Sequence, residues 1–269
     1  MLLINGDCLD EMKNIRDDFI DLIFVDLPYG QTACKWDCCI DPYLMWEQIM
    51  RIKKINTPII MTTTTKFGCS LIQSAPKKCP FRYDLIWCKS APCGFLNAKR
   101  MPMRKHEMVY LFYEKLPLYD ISSHQSKFMG MKAGRKGKCY EDNKDEEAPC
   151  TKYDPPLPTS LLRESNRGKD GKSSAYGVLK FETDNKYDPP LPHSLLEIKS
   201  TKGKHSTEKP VELMKFFLKY YSKEGDQVLD FCMGSGSTGV ACKEMNREFI
   251  GIEKDEDIFK FASDRLMEN

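Results

Sequence analysis

Short, unbroken apolar runs bounded by turn residues recur at residues 2–4, 21–26, 58–62, 84–87, 108–112, 227–231 and 249–252. Runs of this length, without alternating polar positions, read as parallel strands buried on both faces. Between several of them lie stretches with helical spacing of apolar residues, at about 42–52, 64–74, 210–221, 238–246 and 256–267. Strands alternating with helices predict an α/β fold, a mostly parallel seven-stranded sheet covered by helices on both faces.

From about residue 121 to residue 206 this spacing collapses, and Lys, Gly, Ser, Pro and Asp dominate. A loop region of that length inside a domain marks a recognition insert or a segment without fixed structure. The expected organisation is one domain formed by residues 1–120 and 186–269, interrupted by an insert at 121–185. The string Lys152-Tyr153-Asp154-Pro155-Pro156-Leu157-Pro158 recurs as Lys186-Tyr187-Asp188-Pro189-Pro190-Leu191-Pro192. Two copies are too few for a solenoid, so this reads as a tandem duplication in a tolerant loop.

A chain of 269 residues is long enough to bury a substantial core. Charged residues make up 30% of it, yet the net charge is only +2, so any basic surface has to be local. The twelve cysteines form no pair of C-x-x-C units. No metal site is expected from them; they read as reduced, mostly buried thiols of an intracellular, cytoplasmic protein. Met1-Leu2-Leu3-Ile4-Asn5 has no basic leader, and no stretch reaches spanning length without charges. Neither a signal peptide nor a membrane span is expected.

Two turns carry candidate chemistry. In Val228-Leu229-Asp230-Phe231-Cys232-Met233-Gly234-Ser235-Gly236-Ser237-Thr238-Gly239 an apolar strand enters a glycine-rich turn and then a helix. Gly234 and Gly236 permit close backbone approach to a ligand, and the helix N-terminus offers unpaired N–H groups. Glu253, seventeen residues after Gly236, ends the next strand, where an acid can accept hydrogen bonds from both hydroxyls of an adenosine ribose. The glycines also match the dinucleotide pattern G-x-G-x-x-G. Only thirty residues follow Gly239, however, and no conventional nicotinamide domain is expected there.

The second turn is Ile20-Asp21-Leu22-Ile23-Phe24-Val25-Asp26-Leu27-Pro28-Tyr29-Gly30. Asp26 stands at the carboxyl end of a buried strand, Pro28 stiffens the backbone beyond it, and Tyr29 offers a flat ring. A carboxylate, a fixed carbonyl and a stacking ring suit a planar, amino-bearing heterocycle. Both turns would emerge at the carboxyl edge of a parallel sheet, where ligands bind at the topological switch point.

These residues resemble the amino-methyltransferases of restriction–modification systems and their viral relatives. In that family an Asp/Ser/Asn-Pro-Pro-Tyr/Phe motif grips the target amino group and a Phe-x-Gly-x-Gly motif binds S-adenosylmethionine. Here they read Asp26-Leu27-Pro28-Tyr29 and Phe231-Cys232-Met233-Gly234-Ser235-Gly236. Catalytic motif first and cofactor motif last is the circularly permuted, β-class order, and the resemblance implies a Rossmann-like methyltransferase fold. It covers roughly residues 1–115 and 186–269. It further implies that Asp7 approaches the cofactor adenine and that His205-Ser206-Thr207-Glu208-Lys209-Pro210 lines its methionine end. The implied cofactor set is thus Asp7, Thr207, Lys209, Asp230, Phe231, Gly234, Gly236, Ser237, Thr238 and Glu253. Met103-Arg104-Lys105-His106-Glu107 leads into a strand like one bordering the target-base pocket. The departure is Leu27, which supplies a carbonyl but lacks the fixed φ of the family's first proline.

The expected activity is methyl transfer from S-adenosylmethionine to adenine N6 of a base flipped out of double-stranded DNA. Cytosine N4, an RNA or protein amide, and a cofactor-binding module without catalysis are the alternatives. Asp26, Leu27, Pro28 and Tyr29 are the catalytic residues of this reading. DNA contacts fall to basic clusters: Lys99 and Arg100, Arg104 and Lys105, and Arg135, Lys136 and Lys138, with Lys77 and Lys78 as a further pair. The insert is the candidate target-recognition region. A homodimer and a cognate restriction endonuclease acting on the same site are further partners for which the resemblance leaves room. Such a protein works in the cytoplasm of a prokaryote or, if virus-encoded, of an infected cell.

Overall fold

A computed structural model describes residues 1–30, 39–94, 99–120, 122–123, 125–128, 151–154 and 208–268. The chain opens with β1 (Leu2–Asn5) and the single turn α1 (Cys8–Glu11), then runs through β2 (Leu22–Asp26), α2 (Pro42–Ile52), β3 (Ile59–Thr63) and α3 (Thr65–Ser74). Next come β4 (Phe81–Cys93) and β5 (Arg104–Phe112), and within the insert β6 (Gln125–Phe128) and β7 (Thr151–Asp154). The C-terminal third holds α4 (Val211–Tyr221), β8 (Gln227–Asp230), α5 (Ser237–Glu244), β9 (Glu248–Glu253) and α6 (Glu256–Met267).

Seven strands form one sheet in the order β1-β9-β8-β2-β3-β5-β4. The pairs from β1 through β3 are parallel, whereas β5 runs antiparallel to both β3 and β4. The expectation of parallel strands is therefore corrected at residues 84–87 and 108–112. Cys93 pairs with Arg104 across a short connection, which closes an antiparallel ladder but is too short for a parallel crossover. The insert also holds more than loop. β6 and β7 pair antiparallel as a separate two-stranded sheet, and β7 contains Lys152-Tyr153-Asp154 of the first duplicated copy. The second copy lies outside the described residues.

The sheet is double-faced because side chains alternate along each strand. On β2, Ile23 and Val25 face one core with Met45, Trp46, Ile49 and Ile52 of α2. Leu22 and Phe24 face the other with Leu213, Met214, Phe217 and Leu218 of α4. Helix α2 starts where the sequence dictates: Asp41 accepts from the amides of Tyr43 and Leu44, and Pro42 occupies the first turn.

From β2 the chain moves outward to β3, and from β8 it moves the opposite way to β9, which lies beside β1. The switch point thus lies between β2 and β8, and the loops after these two neighbours leave the carboxyl edge together. Among the described residues, no helix is long and apolar enough to cross a membrane.

Candidate active site

Asp26 ends β2 with its side chain 29% exposed, and its register partner on β3 is Thr62. The Thr62 hydroxyl donates to Asp26 Oδ1. The Tyr29 hydroxyl donates to the same oxygen at 2.9 Å, and Lys209 Nζ donates to Oδ2 at 2.5 Å. The Tyr29 ring leans on Phe67 of α3, centroids 5.3 Å apart. Burial, followed by the charges of Asp26 and Glu107, holds its phenol well above the ordinary value, so Tyr29 stays a neutral donor. Leu27, where the family pattern has proline, is 4% exposed and packs in the α2-side core.

One strand over, β8 delivers Asp230 into the interior, 3% exposed. Its Oδ2 accepts from the Thr238 hydroxyl at 2.6 Å and its Oδ1 from the Cys232 amide at 3.2 Å. Burial pushes this carboxyl up to about 7 despite both bonds. Asp230 thus ties the two ends of the glycine turn together. Phe231 is a core residue, and Ser237 and Thr238 are buried. Gly234 has φ 50° and Gly236 has φ 78°, the left-handed region that only glycine enters cheaply. A Cβ on Gly236 would press Leu266 and Ala262, whereas one on Gly234 would meet nothing beyond its chain neighbours within 4 Å among the described residues. The turn is therefore open on the Gly234 side.

Glu253 borders that opening from the end of β9. Its Oε2 accepts from the Gly234 amide at 3.0 Å and its Oε1 from the Asp255 amide at 2.9 Å. Asp7 follows the adjacent β1, caps α1 through the Leu9 amide at 2.9 Å, and pairs with Lys254 at 3.0 Å. Burial pushes the Asp7 carboxyl up, but the bonds from Lys254 and the Leu9 amide outweigh it and hold it below its ordinary value.

Glu208 and Lys209 connect the two turns. Pro210 favours extended backbone before it, and successive side chains on extended backbone point opposite ways. Glu208 reaches the glycine turn, where it accepts from Ser237 Oγ at 3.3 Å and pairs with Arg265 of α6 at 2.7 Å. Arg265 also donates to the Ser235 carbonyl at 3.0 Å. Lys209, proposed from sequence for the cofactor, instead lies with its ammonium on Asp26. It stands 3.4 Å from Glu107 Oε2, and Lys89 pairs with Glu107 Oε1. Burial opposes the charge on Lys209, but Asp26 and Glu107 overcome it and raise its pKa above the ordinary value.

The structure thus brings together Asp26, Tyr29 and Lys209 in one cluster, and Asp7, Asp230, Gly234, Gly236, Ser237, Thr238 and Glu253 in the neighbouring one. Thr62 and Arg265 join them without any role from sequence, and Glu107 and Glu208 join them from segments that the resemblance placed at the site without singling out these two residues. Thr62 was findable by laying 58–62 beside 21–26, and Glu107 closed a segment already set at the base pocket; nothing in sequence pointed to Arg265. Arg104 and Lys105 begin β5 at the carboxyl edge, and Lys99 and Arg100 form an exposed turn before it. Lys77 and Lys78 lie instead near the start of β4, whose Phe81 pairs toward the opposite edge through Phe112 and Ile59. Thr207, Arg135, Lys136 and Lys138 lie outside the described residues.

A family model described as DNA methylase, covering the N6 and N4 enzymes, matches residues 20–264. The type II methyltransferase M2.DpnII of Streptococcus pneumoniae is 35% identical over 106 residues, 39% of this chain and 34% of that protein. M2.LlaDCHI of Lactococcus lactis is 33% identical over 119 residues, 44% of each chain. The chain thus spans less than half the length of these two relatives. The DNA adenine methyltransferase YhdJ of Escherichia coli is 25% identical across 98% of this chain and 82% of its own. Among solved structures, the M1.HpyAVI–SAM complex superposes with TM-score 0.58 at 18% identity, over 98% of this chain and 99% of that one. The cytosine-N4-specific PvuII methyltransferase superposes with TM-score 0.62 at 14% identity, over 99% and 86%.

Proposed function

The chain belongs to the N6/N4 DNA methylase family, and from that premise we propose that it methylates adenine N6 of a base flipped out of duplex DNA, with S-adenosylmethionine as donor. The observation that carries this reading is the shared exit of the Asp26 turn and the Gly234 turn from neighbouring strands at the switch point. The residues present fit the cofactor. The turn is open above Gly234, with the carboxylates of Glu253 and Asp7 on the two adjoining strand ends. Bound S-adenosylmethionine supplies an electrophilic methyl group.

The remaining work belongs to the chain's own side chains. The base leaves the stack at a cost of a few kcal/mol, because its amino nitrogen is unreachable inside the duplex. Tyr29, backed by Phe67, offers the ring on which the extruded base stacks. Asp26 and the Leu27 carbonyl accept hydrogen bonds from the amino group and aim its lone pair at the methyl. Positioning and fixed dipoles, without a covalent intermediate, provide the acceleration. Thr62 fixes the Asp26 carboxylate during this step.

Lys99, Arg100, Arg104 and Lys105 are proposed to contact phosphates beside the pocket. Residues 1–120 and 186–269 are assigned to catalysis and 121–185 to target recognition, a division supported by the separate β6–β7 sheet. The type II names of the relatives support a cognate endonuclease as partner and the cytoplasm as compartment.

The test is incubation with labelled S-adenosylmethionine and mixed-sequence duplex DNA, followed by nucleoside mass spectrometry. N6-methyladenine is expected, and Asp26→Ala should abolish it while cofactor affinity, measured by calorimetry, persists. N4-methylcytosine would overturn the base assignment. Cofactor binding without any methylated nucleoside would overturn the activity.

A further inference from the structure

We propose that Lys209, anchored by Glu107, donates a hydrogen bond to the ring nitrogen beside the target amino group, so that Asp26 and Lys209 together read the edge of the flipped base. This rests on the methyl-transfer reading above and adds a residue that selects the base.

The starting point is that Asp26 has no idle oxygen. Oδ1 receives the hydroxyls of Thr62 and Tyr29, and Oδ2 receives Lys209. Oδ1 already has two donors, so an incoming amino group is directed to Oδ2, where it binds beside Lys209 or in its place. Thr62 is fixed by its place in the β2–β3 ladder. Lys209 sits on a flexible four-carbon stem with three hydrogens to direct, and a second carboxylate is already at hand. Glu107 Oε2 is buried, ion-paired with Lys209 Nζ at 3.4 Å and without a hydrogen bond among the described residues. Its register partner Trp87 carries a buried Nε1 that also lacks one among the described residues. When the amino group takes Asp26 Oδ2, Lys209 gives one hydrogen to Glu107 and keeps another for the base.

The acceptor–donor order matches particular bases. Adenine presents an amino donor next to the N1 lone pair, and cytosine an amino donor next to N3. Guanine and thymine present a carbonyl oxygen next to a ring N–H, the reverse order. Against this edge their oxygen faces Asp26 and their N–H faces Lys209, which leaves buried polar groups opposed instead of paired. Charge does not block the arrangement, because Asp26 and Glu107 balance Lys209 and Lys89.

The experiment compares duplexes carrying adenine or 1-deazaadenine at the target position, with the wild-type protein and with Lys209→Met. Removing N1 weakens the base pair and eases flipping, so a slower reaction on the analogue cannot come from the flipping step. For the wild type, kcat/KM should fall about 10- to 100-fold on 1-deazaadenine, the worth of one charge-assisted hydrogen bond. Lys209→Met should be slow on adenine and show no further loss on the analogue. Equal wild-type rates on the two substrates would overturn the proposal even if the variant fails to fold, and so would an undiminished penalty in a folded Lys209→Met. No methylation of adenine at all would sink the underlying activity and this inference with it, whereas methylation at equal rates sinks the inference alone.

Discussion

Asp230 offers a test of the glycine turn that needs neither cofactor nor DNA. Its carboxyl lies in the interior, where burial lifts it from an ordinary 3.8 to about 7. At roughly 1.4 kcal/mol per pH unit, that displacement is worth about 4 kcal/mol. The sign comes from proton counting. Between these two values the folded protein keeps a proton that the unfolded chain has released, so stability falls as pH rises. The contribution is whole below about 3.8 and lost once pH passes about 7. Asp230→Asn removes the titration but keeps the geometry: the amide oxygen accepts from Cys232, and the amide nitrogen donates to the Thr238 hydroxyl. Urea unfolding of both proteins from pH 4.5 to 8 reads the difference. The variant should gain on the wild type by about 3 kcal/mol across that range, the part of the displacement that lies above pH 4.5. Parallel stability–pH curves would refute the claim that Asp230 is held protonated by burial.

Gly234→Ala forces a Cβ into left-handed backbone at about 1–2 kcal/mol, but beyond its chain neighbours it meets no atom of the described residues within 4 Å. The methyl should therefore cost little more stability than that while raising KM for S-adenosylmethionine more than it lowers kcat. Unchanged cofactor affinity would contradict the placement of the ligand over this glycine. Leu27→Ala should lose about 2–5 kcal/mol in urea unfolding by opening a core cavity. A loss below about 1 kcal/mol would mean that Leu27 is not the core residue its burial indicates.

Much of this architecture was written in local patterns. The uninterrupted apolar run ending at Asp26 could only be a strand covered on both sides, and Asp41-Pro42 set the start of α2. The two turns were legible because strand, turn and helix each have their own residue chemistry, and the ladder then carried them to one edge. What escaped depended on pairings that a single strand does not encode. The runs at 84–87 and 108–112 look the same whether they run up or down the sheet, so their antiparallel sense came from the link between Cys93 and Arg104. Glu107 reaches Lys209 only because of that sense. The alternation at Glu208-Lys209-Pro210 was readable, but not which side chain faced which turn. Arg265 acts from a helix whose orientation over the glycine turn is a tertiary fact.

Leu27 shows how a local rule can be replaced by tertiary structure. In the resembled motif a proline stiffens the residue after the catalytic acid. In this chain the acid is held by other means. Its backbone lies in the β2–β3 ladder opposite Thr62, and its carboxylate is fixed by Thr62, Tyr29 and Lys209. The Leu27 side chain is itself locked in the core. Packing can restrict a backbone as proline does, because freeing the residue would require withdrawing a buried side chain. The substitution therefore moves the source of rigidity from a ring in the backbone to a side chain in the interior, and leaves the carbonyl that the proposed chemistry uses.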